Sequence, residues 1–243
     1  LLPLGCPLIL EKPPGATRAE TLELLSVAQA TQTPHRVAFN RRYAPLIRTL
    51  RARIAEQSGP LSLQYDLFRV KRLDADFSTT AIHAVDAVRF LCGSDYERVE
   101  FVYRPYPGLD QSIAQVQMHC LMQSGASVEI SICPVSGVLA ERVTAQLPGQ
   151  TLLLNLMGNT LTPQPELLCL CDGELIQAFH GDESGRAPFE QEGFDYENQS
   201  FFDAIRDREI PSGDILSCLQ SVTIAQAIRE RHDVYLFSKE ENL

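Results

Sequence analysis

Three short stretches of this 243-residue chain carry side chains whose type and spacing suit them to chemistry. The first is Glu11-Lys12-Pro13, which follows directly on the apolar run Pro7-Leu-Ile-Leu. Such a run reads as a strand, and open parallel α/β sheets hold their ligands at the carboxyl ends of strands. A lysine held there and partly desolvated has its ammonium destabilised, so it can exchange a proton with a substrate hydroxyl near neutral pH. On spacing alone the competing reading is an exposed loop lysine. The second stretch is Ile82-His83-Ala-Val-Asp86, at the start of a helical pattern. His83 and Asp86 are three residues apart and share a helix face, so they either pair with each other or point together at a ligand. A histidine there can bind a hydroxyl through one nitrogen while a neighbour fixes the other. Equally, it can cap or bridge two elements. The third stretch is Asn40-Arg41-Arg42-Tyr43, whose adjacent arginines point in different directions. At most one of them faces a cleft, and the other is expected to pair at the surface. The remaining histidines lie in separate segments without metal-ligand spacing, and no metal is expected.

These residues need elements to hold them. Thr17 caps an amphipathic stretch over residues 19–29, with Glu20 in the capping-box position. After Thr33-Pro34 the run 36–40 reads as a second strand, so the first forty residues have the strand-helix-strand order of a parallel α/β unit. Apolar residues at helical spacing predict helices over 45–57 and 80–91, with Gly93 as the stop of the second. Between them Leu61, Leu63, Tyr65 and Leu67 alternate with Ser62, Gln64, Asp66 and Phe68, the pattern of a strand with one buried face. Seven further runs, at 98–104, 113–122, 127–133, 141–147, 151–156, 167–171 and 175–179, read as strands separated by turns such as Pro107-Gly108 and Ser124-Gly125. Short turns between consecutive strands predict a largely antiparallel sheet. Helices over 196–208 and 215–231 follow, the latter capped by Asp214. The expected fold is an α/β remnant over residues 1–42, followed over 43–243 by an α+β domain whose large, mostly antiparallel open sheet is covered by helices on one face.

Composition narrows the functions. With 44% hydrophobic residues the chain can bury substantial cores without staples. Lys plus Arg number 21 against 31 Asp plus Glu, so no positive field draws in nucleic acid or anionic lipid. The longest apolar stretches fall far short of the roughly 20 residues that cross a bilayer. Seven cysteines, odd in number and without zinc spacing, read as reduced thiols of a cytoplasmic protein. Cys169 and Cys171 share a strand face, but two ligands make no metal site.

Taken in order, Leu10-Glu11-Lys12-Pro13, Val37-Ala-Phe-Asn40-Arg41-Arg42-Tyr43-Ala-Pro45, Ile82-His83-Ala-Val-Asp86-Ala-Val-Arg-Phe-Leu91-Cys-Gly93 and Gly193-Phe194 leading to Phe201-Phe202-Asp203-Ala204-Ile205 resemble the glucose-fructose oxidoreductase, inositol dehydrogenase and MocA-like (Gfo/Idh/MocA) family. The resemblance implies a dinucleotide-binding domain of the Rossmann type, a second domain with an open sheet, NAD or NADP as hydride carrier, and homo-oligomers packed through that sheet. It implies a small sugar, cyclitol or other polyol as substrate, with Lys12 moving the hydroxyl proton and His83 binding or polarising the same oxygen. Glu11, Lys12, Pro13 and Arg41 are then expected on the cofactor side, and Asp86, Arg42 and Thr79 on the substrate side. Two departures stand out. Many family members have an aspartate four residues before the histidine, where this chain has Thr79, which cannot serve as a carboxylate base. No Gly-x-Gly-x-x-Gly turn occurs anywhere, and the chain opens on Leu1-Leu2-Pro3 without a methionine. The expectation is therefore a fragment whose cofactor turn lies upstream of Leu1, and which by itself turns over poorly. The competing expectations are a non-catalytic family member, a sheet-mediated dimerisation module and a polyol-binding protein.

Overall fold

The computed structural model describes residues 1–74, 76–158, 164–181, 185 and 187–238. After a 3-10 turn at Leu2–Leu4, strand β1 (Leu8–Leu10), helix α1 (Arg18–Thr31) and strand β2 (His35–Val37) form the first unit, with β1 and β2 parallel. Thr17 Oγ1 accepts from the Glu20 N–H at 3.1 Å, and the Glu20 carboxylate reaches back to the Ala16 N–H at 2.7 Å. The cap is thus satisfied from both sides, one residue earlier than a strict capping box would place the return bond. β2 is shorter than the run 36–40 suggests. Its last rung is Ala38 N–H to Leu10 O at 2.8 Å, because β1 then gives way to Lys12-Pro13-Pro14, whose prolines have no N–H for a ladder. The chain instead winds into a 3-10 turn at Asn40–Tyr43.

The second sheet has nine strands: β3 (Ser62–Phe68), β4 (Tyr96–Pro105), β5 (Ala114–Met122), β6 (Ser127–Cys133), β7 (Ala140–Leu147), β8 (Gln150–Asn155), β9 (Glu166–Cys171), β10 (Glu174–His180) and β11 (Val234–Leu236). Their order is β10-β9-β8-β7-β3-β6-β5-β4-β11. Every neighbouring pair is antiparallel except β3 and β6. That exception has a topological cause. β3 leaves through a helix rather than a hairpin, so it is free to enter between β6 and β7 in parallel register with the former, Tyr65 opposite Ile130. β11 is only three residues long and follows the polar stretch His232-Asp233, too short to show a period in sequence.

Helices α2 (Pro45–Glu56), α3 (Ser78–Cys92), α4 (Pro188–Gln191), α5 (Phe194–Asp207) and α6 (Ile215–Arg229) complete the fold. The inward residues of the sheet, among them Leu63, Tyr65, Leu67, Val128, Ile130, Ile132, Val143 and Ala145, form the main core with Leu46, Ile47, Leu50 and Ile54 of α2 and Val85, Val88 and Leu91 of α3. Gln64 and Glu129 on the alternate positions are exposed, so one sheet face is helix-covered and the other open. Leu61, which the alternation puts with the inward set, is exposed because β3 begins one residue later. A second core joins Leu25, Ala28, Val37 and Phe39 of the first unit to Ile82 of α3 and Ile215, Cys218, Val222 and Ala225 of α6. Among the described residues, no helix is long and apolar enough to cross a membrane.

Gly193, at a φ of +92°, enters α5 directly against the backbone of Asn40, Tyr43 and Ala44, where any Cβ would collide. α5 is thereby pressed onto the 3-10 turn. Arg36, fully buried, donates to the Glu197 carbonyl of α5, to Ser200 Oγ at 2.9 Å and to Ser212 O at 2.9 Å. The Glu197 carboxyl is buried and one of its oxygens has no partner among the described residues. Burial raises it to about 7, against the opposing pull of Arg36. A carboxyl raised from its ordinary 4.5 to about 7 stabilises the fold below the lower value and loses that contribution as pH rises through the upper one. Wild type is therefore expected to lose unfolding free energy between pH 5 and pH 8, and Glu197→Gln to flatten that slope in urea titrations at the two pH values.

Candidate active site

Lys12 leaves the carboxyl end of β1 and donates from Nζ to the Thr79 carbonyl at 2.6 Å, in the first turn of α3. Its half-buried ammonium is destabilised chiefly by desolvation; Glu11 opposes this, and Arg41, Arg72 and Arg69 push the same way as burial. One helical turn after Thr79 comes His83. Its Nδ1 is buried with no hydrogen-bond partner among the described residues. Burial, then the charges of Arg41 and Lys12, hold the imidazole well below its ordinary value, so it is neutral at physiological pH. Lys12 and His83, far apart in sequence, thus come within electrostatic reach of each other over the start of α3.

Beneath them lies a buried ionic cluster. Glu141, the second residue of β7, has no exposed surface and accepts four hydrogen bonds: Arg41 Nε at 2.9 Å, Arg41 Nη2 at 3.0 Å, Arg69 Nη2 at 2.8 Å and Tyr65 Oη at 2.6 Å. Burial opposes ionisation of Glu141, but the two guanidiniums overcome it and hold the carboxyl far below its usual range. Tyr65 is pushed up by burial and by the carboxylate, so it stays a phenol and a donor. None of Glu141, Tyr65 and Arg69 is among the residues singled out by motif. The signal is nonetheless there: Glu141 has the strand parity of Val143, Ala145 and Leu147, and Tyr65 that of Leu63 and Leu67, all inward. A carboxylate on the inward face of a strand needs a buried cationic partner.

The other sequence candidates fall into different roles. Asp86 does not pair with His83. Its two oxygens accept from Arg42 Nε at 2.7 Å and Arg42 Nη2 at 2.5 Å, and Ser221 Oγ of α6 adds a bond at 3.0 Å. This clamp, with Asp86 fully buried and Arg42 nearly so, ties the 3-10 turn to α3 and α6, and leaves the Asp86 oxygens engaged by protein groups. Neither arginine pairs at the surface, contrary to the expectation from their adjacency, because each finds its own buried carboxylate. Arg41 is spent on Glu141, with Nη1 only 4.0 Å from Glu192. Thr79 offers its carbonyl to Lys12 while its hydroxyl donates to Asp76 O at 3.2 Å. Glu11 is exposed, Pro13 half-buried, and the Lys12-Pro13 peptide is cis. Among the described residues no cluster of three His, Cys, Asp or Glu side chains is placed to hold a metal ion.

No protein-family model and no curated protein matches the chain by sequence. Solved structures do match its fold. A dehydrogenase from Chromobacterium violaceum superposes with a TM-score of 0.80 at 18% identity, over 95% of this chain and 70% of that one. A Gfo/Idh/MocA family oxidoreductase from Vibrio cholerae gives 0.77 at 22% identity, over 95% and 71%. The chain has the Gfo/Idh/MocA oxidoreductase fold. A levoglucosan dehydrogenase in complex with NADH gives 0.77 at 16% identity, over 98% of this chain and 75% of that one.

The Glu141 cluster yields a stability prediction. Glu141→Gln leaves two buried guanidiniums facing a neutral amide, and breaking a buried pair on one side costs about 3–5 kcal/mol. Urea denaturation at neutral pH should register a loss of that order, with the far-ultraviolet circular dichroism of the native baseline retained.

Proposed function

We propose that this chain serves an NAD(P)-dependent oxidoreductase that moves hydride between a sugar, cyclitol or related polyol and a nicotinamide ring. The observation that carries the reading is the meeting of Lys12 and His83: a half-buried ammonium that, among the described residues, is held by a backbone carbonyl alone, beside a neutral imidazole with a buried nitrogen that has no partner among them. Two such groups suit one hydroxyl. Lys12 Nζ takes the hydroxyl proton when the alcohol is oxidised and returns it when the carbonyl is reduced. His83 hydrogen-bonds the same oxygen and fixes its distance from Lys12. Because burial, with Arg41, Arg72 and Arg69 behind it, disfavours the ammonium, the amine form of Lys12 is accessible at a lower pH than for a free lysine.

When bound, the nicotinamide supplies or accepts the hydride. The residues present fit its reactive end: Glu11-Lys12-Pro13 leaves the carboxyl end of β1 in a parallel pair, where such sheets receive ligands. The sequence holds no Gly-x-Gly-x-x-Gly turn to cradle a pyrophosphate, so the fit is to the nicotinamide end alone. The coordination of Arg41 by Glu141 favours a supporting place for it behind the site rather than a cofactor contact. The sheet face without helices, with Gln64, Glu129 and Leu153 on its outward positions, is the surface through which a second copy would pack in a homo-oligomer.

Expressed from its native reading frame, the protein is expected to reduce NAD or NADP with at least one member of a polyol panel. Lys12→Ala should abolish that turnover with circular dichroism unchanged, and an undiminished rate would remove Lys12 from the mechanism. Lys12→Met makes a separate prediction. A lysine whose folded value lies below 10.5 costs stability in full below that lowered value, and the cost fades as pH rises toward 10.5. The methionine variant should therefore melt higher than wild type at neutral pH, with the gap closing in alkaline buffer. An equal or lower melting temperature at neutral pH would mean that the Thr79 bond repays the burial.

A further inference from the structure

The wall of the site buries more cationic than anionic side chains, with Arg41, Arg69 and the half-buried Lys12 set around Glu141. Two guanidiniums, Arg41 and Arg69, share the one buried carboxylate of Glu141, and the second acid near them, Glu192, is partly exposed and 4.0 Å from Arg41. The other nearby acids lie toward solvent, Glu11 among them although it favours the Lys12 ammonium. Glu11 is exposed, and Asp74 pairs with Arg72 in water, where an ion pair is weak and readily exchanged. Asp76 is committed to the N–H and hydroxyl of Ser78, with Arg229 3.7 Å away. Arg69 lies at the end of β3, and Arg72 is brought back to the same place by its backbone N–H on Pro134 O at 3.0 Å. Arg72 Nη2 reaches Thr80 Oγ1 at 3.5 Å, next to the Thr79 carbonyl that holds Lys12. Arg72 Nη1 and Arg69 Nε have no hydrogen-bond partner among the described residues. Donors of that kind, next to a reacting hydroxyl, match the planar oxygens of a carboxylate or the oxygens of a phosphate.

We infer that the polyol carries an anionic group, a carboxylate or a phosphate, which Arg72 binds beside Lys12 with Arg69 behind it. The inference rests on the polyol reading above and narrows it to acidic sugars: aldonates or uronates on one side, sugar phosphates on the other. Binding such a group adds negative charge beside Lys12, where Glu141 is the one fully buried carboxylate among the described residues of the cluster. The exposed Asp74 is then displaced from Arg72 by the ligand, an exchange between two half-solvated partners.

Isothermal titration calorimetry with matched ligands tests this. Glucose and galactose are compared with glucuronate and galacturonate, and with the two 6-phosphates, with and without NADH. At least one acidic sugar is expected to bind about tenfold or more tightly than its neutral parent. Which arm wins separates carboxylate from phosphate. Added salt should weaken the acid more than the parent. Arg72 is half-exposed, so Arg72→Gln should fold normally and bring the acid down to the affinity of its parent. Neutral sugars binding as tightly as the acids, with Lys12→Ala abolishing both, would overturn the anionic substrate and leave the polyol oxidoreductase standing. A charge preference that survives in Arg72→Gln would equally overturn it. Failure of every sugar to bind, with NADH present, would take down the functional reading itself.

Discussion

A single buried carboxylate organises this molecule. Glu141 receives two guanidiniums and a phenol, and through them β7 is joined to the end of β3 and to the turn that follows β2. Removing three charges from water is costly, and such a cluster is tolerable only when its hydrogen bonds are saturated, as both Glu141 oxygens are here. The geometry in turn sets the electrostatics above it. Arg41 and Arg69 are locked in place, so their charge falls steadily on His83 and Lys12 and biases both toward their neutral forms. A mobile arginine would average that field away.

The same economy recurs along the seven residues from Arg36 to Arg42. Arg36 reaches α5 and the loop before α6, Arg41 reaches β7, and Arg42 reaches α3 and α6. Three successive basic side chains therefore act as spokes from one strand and turn to almost every element that borders the site. Gly193 makes the arrangement possible by letting α5 come into backbone contact with the hub. Aromatic faces support two of the spokes, with the Arg36 guanidinium 4.8 Å from the Tyr43 ring centroid and that of Arg42 5.2 Å from Phe39.

Much of this was legible in the residues themselves. The strand-helix-strand opening, the helices at residues 45–57 and 80–91 and the run of strands follow from periodicity and turn formers, which are local properties. Lys12 and His83 stand out because their neighbours mark a strand end and a helix start. What local pattern could not show is which side chains meet. The pairing of Arg42 with Asp86 rather than a ligand, and of Arg41 with Glu141, depends on contacts 44 and 100 residues apart. The insertion of β3 between β6 and β7 is hidden for the same reason: alternation reports which face is buried and is silent on the neighbour. The 3-10 turn at Asn40–Tyr43 was masked by Val37-Ala-Phe, whose apolar character continues the look of a strand after its partner has run out.

The core of the first unit has a consequence for how the protein is made. Val37, Phe39 and Leu25 are sealed by Ile215, Cys218, Val222 and Ala225 of α6, which are synthesised only after the whole nine-stranded sheet except β11. Domains ordinarily fold in turn as they emerge. Here the first unit must wait for α6, so the segment bearing Lys12 keeps its apolar side uncovered until α6 has been made. The sheet between them can assemble first, and its completion brings α6 back within reach of α1. The nascent chain is thus built as a clasp whose two halves close last, and the lysine is seated only when they do.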